Sequence, residues 1–264
     1  PLPFTETIED TPVQIDLSAY FTDPDGDELT FTAQADKPFV AEASVVGQWL
    51  TLAPLVRGDA VITITAEDGR HPPLETRFRL LVYPAAQTLR LGAYRFDHWS
   101  PDQPEHTFPD GMLFLQSDTA DPGLDTPLEY AYFIPHDGDD GYHADDIPDN
   151  VGYPYRTTGR SRINGLNDNG ISFINTGRQR DVGGALAAVD TTGLDGVQVH
   201  WLGGTLEPND RRYAIRLQYR LGHTGPFSDV LHEGQPVEYQ VNDKDHTHVF
   251  GPIALPAEAV NQPY

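Results

Sequence analysis

Short runs of alternating apolar and polar residues, each closed by Gly, Pro, Asp or Asn, recur along the whole chain. No apolar segment of 3.6-residue period is long enough for a helix. Successive side chains of a strand point to opposite faces, so such runs make strands with one buried side, and several of them must close on one another to cover it. The 24 Gly and 23 Pro supply turns, while 12 Phe and 12 Tyr supply residues that pack well on a pleated surface. We expect an all-β protein with packed cores, because 38% of its residues are hydrophobic.

The runs fall into two groups. Residues 13–17, 29–33, 49–52, 61–66 and 76–82 each fit a half-buried strand, and their spacing predicts a small Ig-like or cadherin-like β-sandwich over residues 1–86. Tyr83-Pro84-Ala85-Ala86-Gln87 then reads as a short domain boundary with little freedom. Residues 89–96, 112–116, 129–133, 171–174, 185–189, 197–202, 213–220 and 237–239 are the next candidates, predicting a larger jelly-roll-like β-sandwich with long loops over residues 87–264. Within it Arg216, Gln218 and Arg220 alternate with Ile215, Leu217 and Tyr219. That polar face is either the solvated side of the strand or a glycan-binding surface.

The formal net charge of −23 argues against nucleic acid as a partner, because phosphate binding needs clustered Lys and Arg. It disfavours an anionic membrane surface too, and no run of residues suits membrane insertion. An acidic surface suits solubility and divalent cations. The absence of cysteine removes disulfides and thiolate metal sites. Pro1 is not a natural start and no signal peptide is present, so the chain reads as a mature or excised part of something longer.

The most acidic stretch is His136-Asp137-Gly138-Asp139-Asp140-Gly141-Tyr142-His143-Ala144-Asp145-Asp146-Ile147-Pro148-Asp149-Asn150. Six carboxylates without a Lys or Arg cannot share a dry core, so this run is a loop, either solvated or organised around a cation. Asp137, Asp139, Asp140, Asp145, Asp146 and Asp149 are hard oxygen donors of the kind Ca²⁺ takes. Arg156, Arg160, Arg162, Arg178 and Arg180 follow and can neutralise part of the run. His246 and His248 lie on one strand face, and His136 and His143 with an aspartate can join them in a Zn²⁺ or Fe²⁺ site. Exposed loop histidines are the simpler reading. Trp99, Trp201, Tyr142, Tyr153 and Tyr155 offer a sugar-stacking platform, against core packing for the two tryptophans. No nucleophile elbow, phosphate-cradling glycine loop or metalloprotease helix motif is present, and no catalytic role is expected.

Asp23-Pro24-Asp25-Gly26-Asp27-Glu28-Leu29-Thr30-Phe31, Leu50-Thr51-Leu52-Ala53-Pro54 and Ile62-Thr63-Ile64-Thr65-Ala66-Glu67-Asp68-Gly69 together resemble the bacterial cadherin-like and Ig-like repeats of surface proteins. The resemblance implies a spacer or adhesive unit whose cadherin-type members hold Ca²⁺ between consecutive domains; the acidic positions that correspond are Glu9 or Asp10, then Asp23, Asp25 and Asp27, and Glu67 and Asp68. Asp-Pro-Asp-Gly is also a good turn by itself, and an EF-hand is excluded by Glu28 at the sixth position from Asp23 and Gln34 at the twelfth. Residues 94–101, 159–166 and 173–177 resemble a β-sandwich module of large secreted multidomain proteins of Bacteroidota-type bacteria. That likeness implies an extracellular setting, and a further strand beyond Tyr264 that a neighbouring chain can supply at an open edge.

The expectation is thus a non-catalytic, calcium-stabilised extracellular binding or adhesion module, part of a larger secreted or cell-surface protein, with a glycan or cell-surface polymer as partner. The alternative is a structural subunit of an extracellular filament or adhesin that self-associates through open strand edges. A metal-dependent hydrolase is the third reading.

Overall fold

The computed structural model describes residues 2–100, 108–116, 134–135, 163–173, 183–208 and 214–264. Its secondary structure is nearly all β, and the helical turns among the described residues are short 3₁₀ pieces such as Leu17–Ala19 and Leu89–Leu91. Among the described residues no helix is long and apolar enough to cross a membrane. The chain packs as two compact units, Pro1–Ala85 with Phe96–Ala187, and Ala86–Arg95 with Ala188–Tyr264.

The first unit is built on a four-on-three sandwich. One sheet has the order β1 (Thr5–Ile8), β7 (Leu74–Tyr83), β6 (Gly58–Glu67) and β3 (Thr30–Ala35). The other has β2 (Val13–Asp16), β5 (Trp49–Pro54) and β4 (Ala41–Val46). All five strands expected within residues 1–86 form, with β1 and β4 in addition. Alternation sets the packing: Ala60, Ile62 and Ile64 of β6, Phe78 and Leu80 of β7, and Leu50 and Leu52 of β5 are fully buried in one core. β1 and β7 pair in parallel, Thr5 with Leu80 through Ile8 with Tyr83, while the other ladders of the sandwich are antiparallel.

The Tyr83 end of β6 and β7 is buried on both faces, from Leu80 to Tyr83 and at Asp59. Arg57 donates from Nη1 to the carbonyls of Pro109 (2.8 Å) and Met112 (3.3 Å), which ties residues 108–116 to this end of the sandwich. Met112–Gln116 is the middle strand of a three-stranded sheet with Ile134–Pro135 and Gly183–Ala187. Trp99 is buried beside Phe108, their ring centroids 6.4 Å apart, and pairs with Asn167.

The second unit holds one long ladder and several short ones. Gln198–Thr205 pairs antiparallel with His246–Ala254, with an irregularity between Val199 and Trp201. Gln87–Thr88 pairs in parallel with Val189–Asp190. Ile215–Arg216 pairs with Glu238–Tyr239, Gln218–Tyr219 with Ser228–Asp229, and Leu231–His232 with Gln235–Pro236. Glu233 and Gly234, both at positive φ (51° and 78°), close the last of these as a two-residue hairpin loop. Val230, Val237 and Ile253 form its core, with Trp201, Leu217, Tyr219, Phe250 and Leu255 packed around them. The expected strand at 89–96 is a 3₁₀ turn instead. Gly92 ends it at φ 140°, and Leu91 is exposed. The expected strand at 213–220 is interrupted at Leu217, whose N–H goes to the Val237 carbonyl while its own carbonyl takes the Val230 N–H.

Candidate functional site

The acidic turn at Asp23–Asp27 and the loop after β6 meet at one end of the sandwich, because Thr30 at the start of β3 pairs with Glu67 at the end of β6. Asp23 Oδ1 accepts the backbone N–H groups of Asp25 (2.9 Å) and Asp27 (3.0 Å), an arrangement that folds the turn by itself. Arg70 Nη1 donates to Asp27 Oδ2 at 2.6 Å. Asp68 Oδ1 accepts from the backbone N–H groups of Arg70 and His71, each at 2.8 Å, and its Oδ2 lies 2.6 Å from His71 Nδ1. The backbone and ring hydrogen bonds of His71, with the N–H of Arg70, hold the Asp68 carboxyl well below the usual carboxylate range. The hydrogen bond to Asp68, then the negative charges of Asp68, Asp23 and Asp27, raise the His71 imidazole.

The structure therefore brings Asp23, Asp27 and Asp68 together, and places Glu9 at the opposite end. Glu9 Oε1 accepts from Arg57 Nε (2.8 Å) and the Arg57 backbone N–H (2.9 Å), and its Oε2 from the Ala85 N–H (3.0 Å). The ten residues of β6 separate the two ends by on the order of 30 Å. Glu9 thus cannot share an ion with the Asp23–Asp27 turn of its own sandwich. At the turn, the carboxylates are already held by N–H groups and by Arg70. A Ca²⁺ ion there would have to displace Arg70 from Asp27 and compete for Asp68 with three N–H donors. Among the described residues no group of three or more His, Asp or Glu side chains is arranged to hold a metal. Asp137, Asp139, Asp140, Asp145, Asp146 and Asp149 lie outside the described residues, as do His136, His143, Tyr142, Tyr153, Tyr155, Arg156, Arg160, Arg162, Arg178 and Arg180.

In the second unit the polar strand face is used internally. Arg216 bridges Glu238 (2.6 Å) and Asp229 (3.1 Å), and Gln218 Nε2 donates to Asp229 Oδ1 at 2.9 Å. His246, Thr205 and Tyr239 form a hydrogen-bonded group: the Tyr239 hydroxyl is 3.0 Å from His246 Nδ1 and 3.1 Å from Thr205 Oγ1, and Thr205 Oγ1 also donates to the Val241 carbonyl. His248 packs edge-on against Phe250, 4.5 Å between centroids, and Phe250 stacks on Trp201 at 4.3 Å. The two histidines are therefore engaged by aromatic neighbours. Trp99 is in a core, as one of the two readings had it, and Trp201 lies on the flank of another.

The third tryptophan differs. Trp49 is 47% exposed, on the outer face of the three-stranded sheet. Sequence reasoning took it only as a strand residue, although the alternation already carries the signal: Trp49 is in phase with Thr51, and Leu50 and Leu52 fill the core between them. No family model matches the chain, and a search of curated proteins finds no match.

Proposed function

We propose that this chain is a non-catalytic binding and spacer segment of an extracellular surface protein, and that its partner is a glycan. The observation that carries the reading is the parallel pairing of β1 with β7: the first and last strands of the sandwich run in the same direction. A chain so threaded passes through the module from one end toward the other, the arrangement needed to string modules in a row. The likeness of residues 1–86 to cadherin-like and Ig-like repeats points the same way, and the acidic composition suits a polymer that must stay soluble outside a cell. Calcium belongs to this proposal at the run 136–150. The Asp23–Asp27 turn has hydrogen bonds of its own, from the N–H groups of Asp25 and Asp27 to Asp23 Oδ1. Affinity electrophoresis of the purified chain in native gels cast with neutral polysaccharides tests the glycan part: retardation in at least one gel supports it, and unaltered mobility in all of them contradicts it.

A specific observation favours assembly as the second reading. Leu202 and Val249 are direct cross-strand partners on the long ladder of the second unit, and both are exposed. Among the described residues that ladder has two strands, each with one open edge. Light scattering across a concentration series separates the readings, since self-association through this ladder raises the apparent mass with concentration and Leu202→Lys abolishes the rise.

A further inference from the structure

Resting on the glycan reading above, we propose that the outer face of the β2–β5–β4 sheet is the carbohydrate-binding surface, with the Trp49 indole as its stacking platform. The register places its parts. Trp49 stands between Asp16 of β2 and Val46 of β4; one step along, Thr51 stands between Gln14 and Ser44; one step further, Ala53 is opposite Glu42. Strands lie about 4.8 Å apart and same-face residues about 6.6 Å apart along a strand, so these side chains tile a shallow face of the dimensions of two or three pyranose rings.

The chemistry of that face matches a sugar. A pyranose has an apolar C–H face and a rim of hydroxyls, and it needs a flat aromatic surface with hydrogen-bonding groups around it. Trp49 supplies the ring. It is the exposed member of the three tryptophans, and nothing in the packing of the sandwich requires an indole there, since Leu50 and Leu52 of the same strand fill the core. The polar groups beside it are pre-positioned. Asp16 Oδ1 accepts from the N–H (3.0 Å) and hydroxyl (2.7 Å) of Ser18, Gln48 Nε2 reaches Asp16 Oδ2 at 3.4 Å, and Gln14 Nε2 reaches Thr51 Oγ1 at 3.4 Å. The Gly47-Gln48 loop that joins β4 to β5, with Gly47 at φ 60°, is a tight turn that fixes Trp49 at the end of its strand.

Charge narrows the ligand. The face carries Asp16 and Glu42 and no Lys or Arg, on a chain of net charge −23, so an anionic polysaccharide is repelled and a neutral one is admitted. The apolar part is Trp49 with its cross-strand neighbour Val46, and Ala53 further along, among polar neighbours, well below the area of a standard protein–protein interface. The ligand we infer is a neutral hexose or pentose polymer lying across the three strands.

The test uses the whole chain against soluble glucan, galactomannan and xylan, with polygalacturonate as the anionic control, read by the change in tryptophan emission and by affinity electrophoresis. We expect one or more neutral polymers to bind with a shift in emission, Trp49→Ala to weaken binding at least tenfold with its melting temperature nearly unchanged, Trp49→Phe to restore part of it, and Gln14→Ala to cost a few-fold. Wild-type affinity in Trp49→Ala overturns the site while leaving glycan binding intact. Binding of polygalacturonate as tight as the neutral polymers overturns the ligand class. Failure of every polymer to bind the wild type removes the glycan reading and this site with it.

Discussion

At the scale of single residues, the side chains with the clearest electrostatic consequences lie at the two ends of the sandwich. His71 is raised by its hydrogen bond to Asp68 and by the negative charges of Asp68, Asp23 and Asp27, while Arg70 pairs with Asp27. A raised histidine contributes stability that is complete below its unfolded value and is lost as pH rises through the folded one; the lowered Asp68 contributes above its unfolded value and loses this as pH falls. His71→Gln should therefore lower the melting temperature at about pH 5.5 and converge on the wild type by about pH 8.5. A gap of constant size across that range contradicts the assignment. The Glu9–Arg57 pair is a different case, with side chains only 12% and 14% exposed. Arg57→Met leaves the Glu9 carboxylate without its guanidinium and the Pro109 and Met112 carbonyls without their donor, and we expect a loss of about 3–5 kcal/mol in urea unfolding. Glu9→Gln together with Arg57→Met should cost less than the two single changes added. The Glu9–Arg57 partnership was not legible in the sequence: the two are 48 positions apart, and their meeting depends on the parallel β1–β7 pairing.

At the scale of elements, the long ladder of the second unit depends on a close approach. A Cβ on Gly203 would sit 2.9 Å from both Trp201 Cζ3 and Tyr239 Cγ, so Gly203→Ala must push one ring out of the cluster that holds Phe250 and His246. We expect a destabilisation of about 1–3 kcal/mol and a changed near-ultraviolet circular dichroism spectrum, whereas Gly196→Ala, with open space around it, should do little. Strands were legible where alternation and burial agree. In β5 and β6 the alternate residues Leu50 and Leu52, and Ile62 and Ile64, are the ones in the core, and the strand bounds follow the pattern within three residues. They were not legible at residues 89–96, where Leu89, Leu91 and Ala93 alternate correctly, yet Leu91 and Ala93 are exposed and Leu89–Leu91 forms a 3₁₀ turn. β4 was missed because its Ala41, Glu42, Ala43 and Ser44 carry little apolar contrast, and it forms because β5 pairs with it across a two-residue turn. The exposure of Trp49 follows from the same alternation, and so was readable in advance.

At the scale of the whole molecule, two quantities describe the chain: its β architecture in two units and its net charge of −23. The all-β class followed from period and composition, whereas the grouping of residues 96–187 with the first sandwich rests on contacts such as Arg57 to Pro109 that no local pattern carries. The calcium proposal belongs at this scale, because ordering a run of six aspartates acts on a whole connection. Chelator should lower the melting temperature of the wild type, Asp139→Asn with Asp145→Asn should remove that response, and Asp23→Asn should retain it; an identical melting temperature with and without chelator contradicts calcium at the run. We propose above that the chain binds glycan and leaves it intact. The most direct measurement incubates the protein with each neutral polysaccharide and reads bound protein and newly formed reducing ends in the same sample. We expect saturable binding with no reducing ends above the protein-free control; a steady, protein-dependent release of reducing sugar, or no bound protein on any polymer, would contradict non-catalytic glycan binding.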